Sequence, residues 1–166
     1  QNKHIMTNVV TREAPKYAVF IVDASGSMAG SRMTEALEGI DDIVESTLKP
    51  QHNVAVHAFA SEAHLNVVGR MPVSALRRAD RKEQMQRALK GISGRTRLWD
   101  TVREVVDMLK AEHTHGTLDP NDIGIHTHVV VLSDGGDNCS TSGAPAQLKA
   151  QLAEPGIPNF HCLFLA

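Results

Sequence analysis

Three oxygen-bearing side chains at alternate positions, Asp23, Ser25 and Ser27, follow directly on the apolar run that ends at Val22. A second aspartate, Asp134, stands just beyond another apolar run, Val129 to Leu132, and Thr96 sits in a Gly-Arg-Thr turn. Two carboxylates and three hydroxyls, with no imidazole or thiolate among them, make a donor set for a hard cation. Such oxygen donors suit Mg²⁺, Mn²⁺ or Ca²⁺ rather than zinc. Alternation within a turn lets Asp23, Ser25 and Ser27 face one point, while Gly26 keeps the backbone compact. The two aspartates balance a divalent charge, so neutral hydroxyls and water leave one position that an incoming carboxylate can take.

The elements needed to bring these residues together are readable in the apolar pattern. Residues 17–22 form a continuous apolar run, as expected of a strand buried on both faces. Met33, Leu37, Ile40, Val44 and Leu48 recur at helical steps, and Pro50 ends that helix. A strand over 53–60 and a hairpin partner over 64–68 come next. A helix over 74–92, a second amphipathic helix from Leu98 to Leu109, a strand from Thr127 to Leu132, a short helix from Ala144 to Leu152 and a last strand over 160–165 follow. Strands alternating with helices predict an α/β domain with a mainly parallel central sheet, an antiparallel edge strand and helices on both faces. Open sheets of this kind place ligands beyond the carboxyl ends of their strands, where strand order reverses. The strand ending at Asp23, the strand ending before Asp134 and the helix starting after Thr96 would meet at that rim.

Bulk properties exclude several alternatives. At 166 residues with a formal net charge of −2, the chain has a sizeable core and no basic excess to recruit nucleic acid or an anionic membrane. No apolar run approaches the roughly 20 residues of a membrane span. Cys139 and Cys162 are too few for a disulfide scaffold, which favours a reduced intracellular setting; an extracellular one stays open if a leader was removed. Residues 1–15 are polar and read as an N-terminal arm.

DASGS, then GRTRLWD, then VVVLSDGGDN, in this order, resemble the von Willebrand factor type A domain and its metal-ion-dependent adhesion site. The resemblance runs over residues 16–166 and implies a Rossmann-like three-layer α/β sandwich. It also implies a site of Asp23, Ser25, Ser27, Thr96 and Asp134, with Mg²⁺ the usual ion and Mn²⁺ or Ca²⁺ possible. The implied partner is a protein offering an Asp or Glu carboxylate, bound without turnover. Family members usually continue past the fifth strand with a helix, a sixth strand and a last helix. Ending at Ala166, this chain is expected to be a piece of a longer one, or to have its edge completed by another molecule.

Competing readings are weaker on chemical grounds. Phosphatases of the haloacid dehalogenase type use a second acid two residues after the nucleophilic aspartate, and that position is Ser25 here. A scaffold that has abandoned its metal would have no need of all five residues. Ser31 is well placed to cap the first helix, and Thr96 could cap the helix from Leu98. Asp100 and Asp137 lie near the rim as turn or helix-end residues. The pairs His113-x-His115 and His126-x-His128 read as solvated or capping side chains, since no cysteine or carboxylate completes a zinc set. The basic run RRADRK reads as a solvated helix face, and Trp99 as core or rim.

Overall fold

The computed structural model describes residues 13–61, 64–114 and 124–165. Most of the expected arm and of the loop carrying His115 lies outside the described residues. In chain order the elements are β1 (Lys16–Asp23), a 3₁₀ turn (Gly26–Met28), α1 (Ser31–Asp42) running on into a π turn (Ile43–Thr47), β2 (Asn53–Phe59) and β3 (Leu65–Pro72). There follow α2 (Val73–Leu76), α3 (Ala79–Lys90), α4 (Leu98–Thr114), β4 (His126–Leu132), α5 (Ala144–Ala153) and β5 (Phe160–Leu165).

The sheet has the order β3-β2-β1-β4-β5. β2, β4 and β5 run parallel to their neighbours on the β1 side, and β3 pairs antiparallel with β2. β1 is central, which is why its whole apolar run is buried, from Tyr17 through Asp23. The chain moves from β1 to β2 on one side and later returns to β4 on the other. The reversal of strand order therefore falls between β1 and β4.

Two apolar layers sandwich the sheet. On one face Met33, Leu37 and Ile40 of α1, Leu76 of α2 and Leu89 of α3 pack over Phe20, Val22, Val54 and Val56. On the other, Leu98, Val102, Val105 and Leu109 of α4, with Leu148 of α5, cover Val19, Ile21, Val129 and Val131. Each fully buried side chain of this size contributes about 1.5–3 kcal/mol of hydrophobic stabilisation. Coverage is uneven. β4 alternates between buried and half-buried residues, and Leu163, Phe164 and Leu165 of β5 are 40–55% exposed.

The helix expected over 74–92 is two helices, because Arg78 is extended (ψ 134°) between them. The break lets Arg77 reach the end of α1. Its guanidinium donates to the Val44 carbonyl at 2.8 and 3.0 Å and to the Leu48 carbonyl at 2.6 Å, satisfying acceptors that a helix end leaves open. Lys82 pairs with Asp41 and Glu45 of the same end. The basic run therefore stitches α2 and α3 to α1, and only part of it is a solvated face. Ser31 is not the cap of α1. The helix starts on it, and Gly30 occupies the boundary at φ 82°, where a side chain would be strained.

Candidate metal and ligand site at the carboxyl rim

The register Val22↔Leu132 puts the next residues, Asp23 and Ser133, side by side as the strands end. Asp23 is fully buried, and both of its carboxylate oxygens are used. Oδ1 accepts the Ser25 amide at 2.9 Å, and Oδ2 accepts the Ser133 hydroxyl at 2.8 Å. The Ser25 and Ser27 hydroxyls lie 3.1 Å apart, with Ser25 buried and Ser27 exposed. One residue further along the β4 turn, Asp134 reaches the same place. The Ser27 hydroxyl is the chief reason its carboxyl sits below the usual range; the Gly136 amide and Arg32 add to that, against partial burial. Arg32 Nη1 lies 3.1 Å from Asp134 Oδ2 and also donates to the Ser27 carbonyl at 3.2 Å.

The Gly-Arg-Thr turn is tied to both of its neighbours. The Gly26 amide donates to the Gly94 carbonyl at 3.1 Å. Gly94 has φ 142°, and a Cβ there would stand 2.4 Å from Ser61 Oγ, the atom that accepts the Arg95 amide at 2.8 Å. Thr96 is buried at 4% exposure. Its amide donates to Asn138 Oδ1 at 3.0 Å, and its carbonyl accepts the Asn138 and Cys139 amides at 3.1 and 3.0 Å. Each of the three turns thus bonds the other two, so the backbone supporting the oxygen donors is fixed by contacts between segments far apart in sequence.

Capping of α4 falls to residues other than Thr96. Asp137 Oδ1 accepts the Leu98 amide at 2.8 Å, and Ser140 Oγ accepts the Trp99 and Asp100 amides at 3.1 and 3.2 Å. These groups satisfy the open donors of the first turn from across the rim. Asp100, 5% exposed, accepts Arg97 Nη2 at 2.9 Å and both the amide and hydroxyl of Thr141. Burial pushes its carboxyl up, but Arg97 and Thr141 outweigh that and hold it below the usual range. Asp100 and Asp137 are therefore structural clasps. Trp99 is half-buried at the rim, 6.1 Å from the Phe164 ring.

The structure places Asp23, Ser25, Ser27 and Asp134 in one hydrogen-bonded group and puts Thr96 in the turn laced to it. Sequence reading missed Ser133, Asn138, Ser61 and Arg32. Ser133 carried a signal, as the residue preceding Asp134 at a strand end; the others are chosen by tertiary contacts. Among the described residues no three or more His, Cys, Asp or Glu side chains are gathered as a metal site. The rim has only two such residues, supplemented by hydroxyls. Its donor chemistry fits a hard divalent ion, and Asp134 already faces a cation in the form of the Arg32 guanidinium. Beside it opens a cleft of about 400 Å³, lined by Met28, Arg32, Glu35, Leu132, Asp134 and Leu165.

Comparison with solved structures returns this architecture. The pilus adhesin SpaC from Lactobacillus rhamnosus GG, in its open conformation, is 23% identical and superposes with a TM-score of 0.55, over 75% of this chain and 15% of its own. The ArnB paralog VWA2 from Sulfolobus acidocaldarius is 15% identical with a TM-score of 0.56, over 92% of this chain and 34% of its own. The minor pilin PilB from Streptococcus sanguinis is 17% identical with a TM-score of 0.54, over 76% of this chain and 31% of its own. The chain thus spans 15–34% of the length of these proteins, and at such identities the likeness concerns the fold. Curated proteins give no match. The sequence profile of the von Willebrand factor type A domain matches residues 18–161, across every strand and helix that builds the rim, and the chain belongs to that family.

Proposed function

We propose that this domain is a metal-dependent protein-binding module with no catalytic turnover. Asp23, Ser25, Ser27, Thr96 and Asp134 hold a divalent cation, Mg²⁺ first among them with Mn²⁺ or Ca²⁺ as substitutes, and the ion takes an Asp or Glu carboxylate of a partner protein. The observation carrying this reading is the cross-laced rim: three separate turns bond one another, and between them they carry two carboxylates and three hydroxyls. A charge-balanced ion on neutral hydroxyls keeps a strong preference for one more anionic oxygen, and that is the recognition chemistry. Absence of an acid at position 25 argues against phosphatase chemistry. Likeness to a pilus adhesin and a minor pilin is consistent with a role in protein assembly or adhesion.

A second reading has one observation in its favour. Arg32 already neutralises part of the charge on Asp134, so the rim can stand as a metal-free scaffold. Calorimetric titration of metal-stripped protein with Mg²⁺ and Mn²⁺ separates the two, with and without acetate or an acidic peptide. Saturable binding by the wild type, lost in Asp23→Ala and in Asp134→Asn, is the expected result. Because Asp23 is buried and doubly bonded, circular dichroism must show that its variant is folded; the partly exposed Asp134 is the safer site. A wild type silent to both ions, even with the carboxylate present, would leave the scaffold reading standing.

A further inference from the structure

A second cleft borders the rim on the side of α3, and the local chain path explains it. The Gly26 amide and the Gly94 carbonyl are bonded at 3.1 Å, and the two segments part on either side of that bond. From Gly26 the chain runs on into α1, whereas Gly94 is reached from the end of α3 through Ile92 and Ser93. The space between them is about 340 Å³, at the small end of the roughly 300–1,000 Å³ of ligand sites, so it suits one large side chain better than a cofactor. Met33 of α1 and Leu89 of α3, both buried, give it an apolar floor, with the half-buried Ile92 beside them. Ala29 and Gly30 are small and exposed, and a Cβ at Gly30 would meet nothing within 4 Å, so the mouth is open. None of the described residues of β4 or β5 lines it.

Charge in this cleft has one sign. Lys90 is the single charged residue lining it, and it forms no ion pair among the described residues. Arg87, in the same last turn of α3, is held by Glu83 at 2.6 Å. A lysine there suits the helix dipole by itself. Beside an apolar floor with no carboxylate near, it also leaves a positive charge for a ligand to meet.

We propose that this cleft is the partner's second anchor. An extended segment whose Asp or Glu sits on the rim ion lays a large apolar side chain between α1 and α3 and turns a second carboxylate toward Lys90. The inference rests on the metal-binding reading of the rim and names the partner sequence that the rim selects. Continuity carries it: Ser25 belongs to both the donor set and the cleft wall, so a chain held at the ion passes the cleft within a few residues. In an extended segment side chains alternate, and residues two apart, about 7 Å, face the same way. The apolar anchor is therefore expected two residues from the metal-bound acid. Apolar burial adds the affinity that one carboxylate on an exposed ion lacks, and the lysine sets the direction in which the segment lies.

The test uses the whole chain in saturating Mg²⁺ and short acetylated peptides. One peptide has a single Glu in a run of glycine; others carry Leu one, two or three residues to either side; the best of these is then given an added Asp. Affinity is read by calorimetry, or by amide NMR shifts of the ¹⁵N-labelled chain where binding is weak. Leu two residues from Glu is expected to tighten binding about tenfold over glycine and to shift the amides of Thr34, Ile92 and Ser93. The added Asp should gain about threefold more, a gain lost in Lys90→Glu. Thr34→Trp fills the mouth from an exposed position and gives up only a 3.3 Å bond to the Gly30 carbonyl. It should remove the leucine gain while Mg²⁺ and the glycine peptide bind as before, and Glu38→Trp, outside the cleft, should change nothing. Mg²⁺-dependent binding that is equal for leucine and glycine peptides at every position, or a leucine gain that survives Thr34→Trp, would overturn the cleft and leave the rim reading intact. Binding unmoved by chelation, or no binding of any peptide in Mg²⁺, would overturn the rim reading and this inference with it.

Discussion

The carboxyl rim and the β4–β5 face are both places where polar side chains gather, but they are organised by different means. At the rim, three turns bond one another through backbone and side-chain groups; Asp23, Ser25 and Thr96 are buried there, while Asp134 is half-buried and Ser27 exposed. On the open face, three imidazoles are placed by strand register alone and stack without a shared partner. The first kind of arrangement fixes the side chains through bonds between segments far apart in sequence; the second leaves the rings held only by the strands that carry them. The difference teaches that bonds between turns, more than the number of polar side chains gathered, hold a group of side chains in one arrangement.

The largest expected break in that comparison is Gly94→Ala. Its Cβ would meet Ser61 Oγ at 2.4 Å from a backbone at φ 142°, so both the Gly26–Gly94 bond and the Arg95–Ser61 bond are put at risk. A loss of about 2 kcal/mol or more is expected from strain and lost bonds together. Chemical denaturation should show it, with Mg²⁺ binding weakened well beyond the loss in stability. Hydrogen-exchange protection of the β4 and β5 amides should fall no further than the global loss, since a Cβ at Gly94 would meet only Ser61. A selective loss of protection in β4 and β5 would mean that the two regions are not independent.

A milder perturbation is Asp137→Ala, which strips the Leu98 amide of its acceptor and Ser140 of its partner. Caps of this kind contribute about 1 kcal/mol. Tm should fall by a few degrees, with Mg²⁺ affinity dropping less than in Gly94→Ala because Thr96 keeps its bonds to Asn138. The same residue marks what the sequence could and could not say. The alternation of strands and helices, the mainly parallel sheet with its antiparallel edge and the buried first strand were legible, because each is written in a local run or a short motif. The cap was not, since Thr96 is the nearer candidate and Asp137 wins only through a contact 39 residues away. His161 was invisible as a companion of His126-x-His128 for a like reason: strand register is set by packing across the sheet, and no neighbouring residue reports it. The split of α2 from α3 was equally hidden, because Arg77 is drawn to carbonyls about 30 residues upstream.

The finest test concerns Arg32, which no motif singled out. Its guanidinium lies 3.1 Å from Asp134 on a side chain 58% exposed, so the pair contributes little to folding, within the 0–1 kcal/mol of exposed ion pairs. Its influence on a divalent ion should be larger than that on the fold, because one positive charge must leave Asp134 before another arrives, and what remains nearby is repulsive. Arg32→Met keeps the aliphatic stem over the cleft and deletes the charge. Mg²⁺ affinity in the stripped protein should rise by about 1 kcal/mol, roughly fivefold, with Tm nearly unmoved. Added salt should shrink the gap between variant and wild type, as screening of an exposed charge requires. Acetate or an acidic peptide should respond in the opposite direction: with the ion in place, a displaced guanidinium is free to meet the second carboxylate oxygen, and Arg32→Met loses that contact. An unchanged Mg²⁺ affinity with weaker peptide binding would assign Arg32 to the partner alone. No change in either would make the Arg32–Asp134 pair a surface contact without a part in recognition.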